Sequence, residues 1–502
     1  MKKFIIGLLV ASTMMSCGGD NGEDSVTPTN PKDDITITAQ LVNSSFVGNG
    51  PQWGGYDVLQ AWTGSPTLST ADWNTLFERI RFMRPPFVRI MISDGWNYID
   101  NGNYNPEKSQ HVLFKILDFC QAEGISVLFG EWGHQGGSSA IAPNFVENSS
   151  NFLDYLVNTK GYSCIKYFNM VNEPNGDWSS IKNNYALWKD LVAQYYAKLE
   201  EKGIAPKVKM IGPDIAIWDA NHTSWVMNTR LDLGSKMGAY DIHTYPNETV
   251  VREGSYGKSI IRPYKSAAEP NKPMIMGELG FKYSPTSELG KENAKRIAAD
   301  KYASDDSQMH VYDGFYAIDM ADAVIQNMME GYAGVILWSF DDAQYNIDGG
   351  GSTKLKRWGF WNILGAEKFE NPNDENIRPW FYTMSLLCRY FPAGTQIYSV
   401  ELPNKKGVRA IAGVKDGKTT VAIVNSHLVS YTVNLKMANG SIIEKAKTYK
   451  YVSGKGSTYT ATTDAKGFAT PISTNESIDL TNGKAKVIEL PAQSFVLITN
   501  MN

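Results

Sequence analysis

Apolar residues along this chain keep one rhythm from about Thr36 to Pro392 and another after it. In the first part, short apolar runs alternate with amphipathic stretches. Eight runs have strand character: SFVGNG, FVRIMI, ISVLFG, IKYFNMV, KVKMIG, AYDIH, PMIMG and GVILW. Between most of them lie helical segments such as TADWNTLFERIRFM, SQHVLFKILDFCQAEG and ALWKDLVAQYYAKLEEKG. In the last, Leu187, Leu191, Tyr195 and Leu199 recur every four residues and predict one face of a helix. Strands alternating with helices predict a parallel α/β fold. Eight such units predict a (β/α)8 TIM barrel with long loops. A doubly wound open sheet is the alternative, but no GxGxxG fingerprint follows the first run.

After FPAG (391–394) the helical period disappears. VRAIAGV, TTVAIVN, YTVNLKM, SIIEKAKTYKYV and KVIELPAQSFVLIT alternate or are β-branched, and Asp416-Gly417 and Asn439-Gly440 read as hairpin turns. Residues 36–392 are therefore expected to form the barrel and residues 393–502 an antiparallel β-sandwich that buttresses it, since no flexible linker separates them.

The first 35 residues belong to neither pattern. Lys2 and Lys3 precede the apolar run FIIGLLVA and then STMMSC, a secretory signal too short to span a bilayer. MMSC resembles a lipobox, which makes 1–17 a lipoprotein signal peptide and Cys17 the lipidated residue, with 18–35 a flexible acidic tether. A lipid-anchored location at the outer membrane of a Gram-negative bacterium is the expectation, with periplasmic or outward facing left open.

Composition narrows the partners. A length of 502 residues suits two domains of unequal size, and 42% hydrophobic content is enough for a sizeable core. A formal charge of −4 argues against nucleic acid. Thirteen Trp and 26 Tyr are generous, and the surplus over core needs suits a sugar ligand. The cysteines (Cys17, Cys120, Cys164 and Cys388) form no metal-ligand spacing, so no metal and no organic cofactor is expected. Cys120 and Cys164 read as buried thiols, with a disulfide between them left open. A monomer is expected.

The chemistry gathers at the ends of the apolar runs. In IKYFNMVNEPNGD (165–177), Pro174 cannot donate to a sheet ladder, so the strand stops with Asn172 and Glu173 at its end. The second run supplies Arg89; the third, Glu131, Trp132 and His134; the sixth, His243 and Tyr245; the seventh, Glu278; the eighth, Trp338. In a barrel, C-terminal strand ends are where chemistry is done. Cleavage of a glycosidic bond needs one carboxyl to protonate the leaving oxygen and one carboxylate to attack the anomeric carbon. Glu173 and Glu278 suit these roles, on strands that lie across the barrel from each other. Arg89 and Tyr245 would hold the nucleophile, Asn172 a sugar hydroxyl, and Trp338 the floor of the sugar ring. His243 would orient the acid/base or a substrate hydroxyl. Glu131 and His134 either bind substrate or satisfy each other. Asp341, Asp342 and Asp348 read as a solvated acidic loop, and Trp53, Trp96, Trp178, Trp218 and Trp361 as a mixture of core caps and sugar platforms.

N-E-P ending the fourth strand, H-x-Y the sixth, a Glu in GEL context the seventh and a Trp the eighth resemble clan A of the retaining glycoside hydrolases. This cellulase-like superfamily includes families 5, 30 and 39. The resemblance implies that Glu173 is the acid/base and Glu278 the nucleophile. It implies a retaining β-glycoside hydrolase, endo-acting on an extracellular polysaccharide or oligosaccharide. Two alternatives stand beside it: an exo-acting β-glycosidase, and a non-catalytic surface glycan-binding lipoprotein.

Overall fold

The computed structural model describes residues 33–56, 68–108, 110–134, 139–344 and 354–502. The expected signal peptide, Cys17, nearly all of the tether and Asp348 lie outside the described residues.

Eight parallel strands form the barrel: Gly50–Pro51, Phe87–Ile92, Ser126–Glu131, Ile165–Asn169, Lys209–Ile217, Met237–Thr244, Met274–Leu279 and Gly334–Leu337. They coincide in order with the eight apolar runs. Each pairs with its neighbour in sequence, and the first pairs with the eighth. An isolated bridge from Gln52 to Arg89 joins the first strand to the second and completes the ring. The interior is filled by Phe87, Leu128, Ile211, Ala239, Ile275 and Ile336, one from each of six strands. Because strand side chains alternate, this layer fixes which later residues turn inward. Arg89, Tyr167, Asn169, Asp241, His243 and Trp338 keep the inward parity; Glu131 does not.

Two strands break the alternation near the mouth. The fifth slips register between Pro213 and Ile215, with Asp214 at φ +56°. The seventh slips between Met276 and Glu278. A bulge adds a residue to one strand and re-aims the side chains beyond it. Here it brings Asp214 and Glu278 round to the inside.

Helices cover the outside. The one at Thr70–Met83 starts in a capping box: Ser69 Oγ accepts from Asp72 N (3.2 Å), and Asp72 Oδ2 from Ser69 N (2.6 Å). In the helix Tyr185–Glu201 the buried stripe is Trp188, Leu191, Val192, Tyr195 and Leu199. Leu187, expected on that stripe, is exposed. The packing is 3.6-periodic, and a strict four-residue spacing drifts off the face.

The C-terminal domain is one ten-stranded sheet folded over a core that includes Ile35, Ile37, Val421, Ile423, Leu435 and Ile498. One of its strands comes from the other end of the chain. Asp34–Asn43 pairs antiparallel with Gln396–Glu401 and parallel with Tyr431–Met437, so the region expected to open the barrel instead completes the sandwich. Asp416-Gly417 makes the expected hairpin between Val408–Lys415 and Lys418–Asn425, with both residues at positive φ. Asn439-Gly440 does not. The strands on either side of it, Tyr431–Met437 and Ile442–Ser453, pair with other partners.

The sandwich and barrel share a core in which Tyr449, Tyr451 and Phe495 join Trp380 and Phe381. Buried Arg409 meets Asp322 of helix Gly314–Met329 at 2.6 Å. Cys120, Cys164 and Cys388 are buried free thiols. None of the described helices is long and apolar enough to cross a membrane.

Candidate active site

The fourth strand ends in a turn tied to both neighbours. Asn172 N donates to Glu131 O (3.0 Å), Glu173 N to Asp214 O (3.1 Å) and Gly176 N to Glu173 O (2.9 Å). Glu173 sits at φ +45°. For a residue with a Cβ this left-handed conformation costs on the order of 1 kcal/mol, and such strain gathers at functional sites. It leaves the Glu173 side chain partly exposed (14%) at the mouth, while its neighbours are buried.

Across the mouth, Glu278 is held from two sides. Arg89 Nη1 donates to Glu278 Oε1 (2.6 Å), and Tyr245 Oη donates to Oε2. The guanidinium is buried and multiply shared. Nη1 also reaches Gln52 Oε1 (3.2 Å), while Nη2 reaches Asn172 Oδ1 (2.8 Å) and Asp214 Oδ2 (3.1 Å). Charge-assisted bonds of this kind fix geometry as well as charge.

His243 lies between the two glutamates. Its Nδ1 faces Glu173 Oε1 at 3.1 Å and Glu278 Oε1 at 3.6 Å, and its Nε2 faces Asp214 Oδ1 at 2.8 Å. An oxygen of Glu173, an oxygen of Glu278 and a His243 nitrogen all lie within 4.8 Å of one another. The floor beneath is fully buried. Burial works against the imidazolium, but Asp214 and Glu278 outweigh it and raise His243 well above its usual range. Burial likewise opposes the charge on Asp214, yet His243 and Arg89 bring its carboxyl down to about 2. Its neighbour Asp241 is driven well up by burial and by the Asp214 charge; its Oδ1 accepts from Asp214 N (2.9 Å). Arg89 and His243 thus face the carboxyl groups of Asp214 and Glu278. The same residues form two clusters with metal-ligand potential, Glu173–His243–Glu278 and Asp214–Asp241–His243. In both, the same side chains already bond one another: His243 Nδ1 meets Glu173 and Nε2 meets Asp214, while Arg89 donates to Asp214 and Glu278.

An aromatic wall completes the mouth. Trp338 packs edge-to-face on Trp132, with centroids 6.1 Å apart, and clusters with Trp96, Tyr245 and Trp358. Trp178 Nε1 donates to Glu173 Oε2 (2.8 Å).

The structure therefore brings Glu173, Glu278, Arg89, Asn172, His243, Tyr245, Trp132 and Trp338 to one place. Glu131 does not join them. Its carboxyl faces the helical layer, where Oε1 accepts from Tyr98 Oη (2.8 Å) and Ser149 Oγ (2.7 Å), and burial pushes it up to about 8. His134 does not pair with it either; its Nδ1 bonds Asp94 Oδ2. Asp341 and Asp342, expected in a solvated loop, are buried. Asp341 accepts from Tyr56 Oη (3.0 Å) and the amides of Ala343 and Ile363, and Asp342 is bound by Arg378. Trp53 and Trp361 are core. Asp214, Gln52, Asn169 and Asp241 were not among the expected site residues. The signal that could have found Asp214 is the Pro-Asp pair inside IGPDIAIWD, since a proline within a strand marks a bulge.

No family model matches the sequence, and no curated protein matches it. Solved structures do match in fold. The glycoside hydrolase family 30 subfamily 8 xylanase of Clostridium acetobutylicum superposes with a TM-score of 0.56 at 13% identity, over 93% of this chain and 99% of that one. A monomeric β-xylosidase from Caulobacter crescentus CB15 gives 0.58 at 14% identity, over 93% and 99%. A family 39 enzyme from Xanthomonas axonopodis pv. citri gives 0.56 at 12% identity, over 95% and 99%. The described chain has the barrel-plus-sandwich fold of clan A glycoside hydrolases of families 30 and 39.

Proposed function

We propose that this chain is a retaining β-glycoside hydrolase. The observation that carries the reading is the separation of Glu173 and Glu278, whose carboxylate oxygens come within 4.8 Å of each other. Retaining enzymes hold the pair about 5–5.5 Å apart, and inverting ones about 6.5–9.5 Å, to admit a water. The surroundings divide the roles. Glu278, clamped by Arg89 and Tyr245, is positioned to attack the anomeric carbon. Glu173, at the open side, protonates the glycosidic oxygen as the bond to the leaving sugar breaks, which leaves a glycosyl ester on Glu278. Glu173, now a carboxylate, takes a proton from water. That water attacks the anomeric carbon, and the ester bond returns its electron pair to Glu278. His243 and Asn172 hold the acid/base and a substrate hydroxyl; Trp338 and Trp132 bound the ring.

The substrate in this reading is a β-linked extracellular polysaccharide or oligosaccharide cut within the chain, by a protein tethered through Cys17 at the outer membrane. The test is a polysaccharide panel digested by protein lacking residues 1–17, with products followed by proton NMR. A first-formed β-anomer and a ladder of oligosaccharides are expected. A first-formed α-anomer would refute retention, and monosaccharide alone would refute internal cleavage.

A further inference from the structure

Among the described tryptophans only Trp178 and Trp218 stand exposed, at 55% and 54%, and they stand together. Their rings meet edge-to-face, with centroids 6.3 Å apart and planes at 88°. Leaving two indoles in water forgoes a large apolar burial, and their exposure does not come from a loose loop. Trp178 follows the strand-four turn, and the next three residues, Ser179, Ser180 and Ile181, are buried. Its ring lies over Gly176 so closely that a Cβ there would come within 2.2 Å of it. Trp218 directly follows the fifth strand, Lys209–Ile217. The two segments are stapled by one side chain: Asn175 Nδ2 donates to Ala216 O (2.7 Å), and Ala216 N donates to Asn175 Oδ1 (3.0 Å). Asn175 thus acts as a strand residue would, and it holds both rings in register.

Their position relative to the carboxylates gives them a direction. Glu173 Oε1 faces His243, which it shares with Glu278, whereas Glu173 Oε2 accepts from Trp178. The tryptophans therefore lie beyond the proton donor, on its side away from the nucleophile. Whatever leaves with the protonated oxygen departs on that side. Resting on the hydrolase reading above, we propose that Trp178 and Trp218 form a leaving-group subsite for a β-linked pyranose. The C–H face of the sugar packs on one indole and the perpendicular indole walls it in. The same subsite would hold an acceptor sugar during breakdown of the glycosyl ester, so the leaving group this enzyme prefers is a sugar.

The test compares leaving groups of different size. Wild type and Trp218→Ala are assayed on the β-glycosyl fluorides of xylose and glucose, and on xylohexaose, cellohexaose and a β-1,6-linked glucohexaose. Fluoride is too small to reach the tryptophans. Trp218→Ala is expected to lower kcat/KM about ten-fold on the cleaved hexasaccharide, mostly through KM, and to change fluoride turnover less than about two-fold. Equal losses on both, or no loss on the hexasaccharide, would overturn the subsite. A second readout is independent of turnover. Glu278→Gln titrated with the same hexasaccharides should show a saturable tryptophan-fluorescence change that disappears when Trp218→Ala is added. A change that persists in the double variant, or no change in either, would overturn it. If Glu278→Gln keeps wild-type turnover, the catalytic reading falls, while this titration still judges the subsite.

Discussion

Glu131 and Glu278 end parallel strands of the same barrel, and both are almost wholly buried. Yet they live in opposite environments. Glu131 continues the alternation of its strand, so it faces the helices and meets two neutral hydroxyls; burial holds its carboxyl well above the usual range, and Oε2 is unpartnered. Glu278 follows a register slip at Gly277, so it turns into the mouth and meets Arg89 and Tyr245. A strand-end glutamate is therefore not a site by position alone. The side it faces and the charges already there decide what it can do.

The largest contrast should come from removing each carboxylate. Glu278→Gln keeps the shape but not the nucleophile, and hydrolysis should fall on the order of 10^4-fold. Glu131→Gln should stay within about two-fold of wild type in the same assay.

Next in size is the charge under Glu278. Asp214→Asn removes the counter-charge of both Arg89 and His243. Activity should drop about 10^2-fold, and breaking a buried pair should cost about 3–5 kcal/mol, visible as a lower Tm. Asp214 is the leading group that holds His243 up against burial. Its loss lowers the pH at which His243 gives up its proton, so the alkaline limb of the rate profile should move to lower pH.

A smaller effect tests the bulge. A Cβ at Gly277 would come within 2.9 Å of His243 Nε2. Gly277→Ala should cost about 10–100-fold in kcat through misplacement of His243 and Glu278, with the circular-dichroism spectrum unchanged.

The smallest effect is on stability alone. Glu131 is raised from 4.5 to about 8 by burial. Between those values the folded state keeps a proton that the unfolded state has released. Stability therefore falls as pH rises through that window, by about 1.4 kcal/mol per pH unit at most, and is unaffected below it. Denaturant titrations from pH 5 to pH 8 should show that slope in wild type and a flatter one in Glu131→Gln.

These differences mark what was legible in the sequence. Apolar runs give the eight strands in order, because a buried parallel strand must be apolar throughout. The motif of Asn172, Glu173 and Pro174 was legible as the end of the fourth run, although the ladder itself stops earlier, at Asn169, and Pro174 lies in the turn beyond it. The inward turn of Glu278 was not, since strict alternation from Ile275 would send it outward and only the bulge reverses it. Nor was the charge floor around Asp214, which depends on three strands meeting. The strand Asp34–Asn43 does alternate, with Ile35 and Ile37 buried, but its partners lie at the far end of the chain. In the sequence Trp178 and Trp218 are simply two tryptophans near loops. Their pairing rests on Asn175, in the turn after the fourth strand, bonding across to Ala216 of the fifth.

Retention through Glu278 requires a glycosyl ester on its carboxyl group. Incubation with 2-deoxy-2-fluoro-β-glycosides of the sugar the enzyme cleaves, followed by peptide mass spectrometry, tests it directly. One fluoroglycosyl group per chain is expected, on the peptide that carries Glu278 and absent from Glu278→Gln. A label on Glu173, or no label while products appear with inverted configuration, would contradict it.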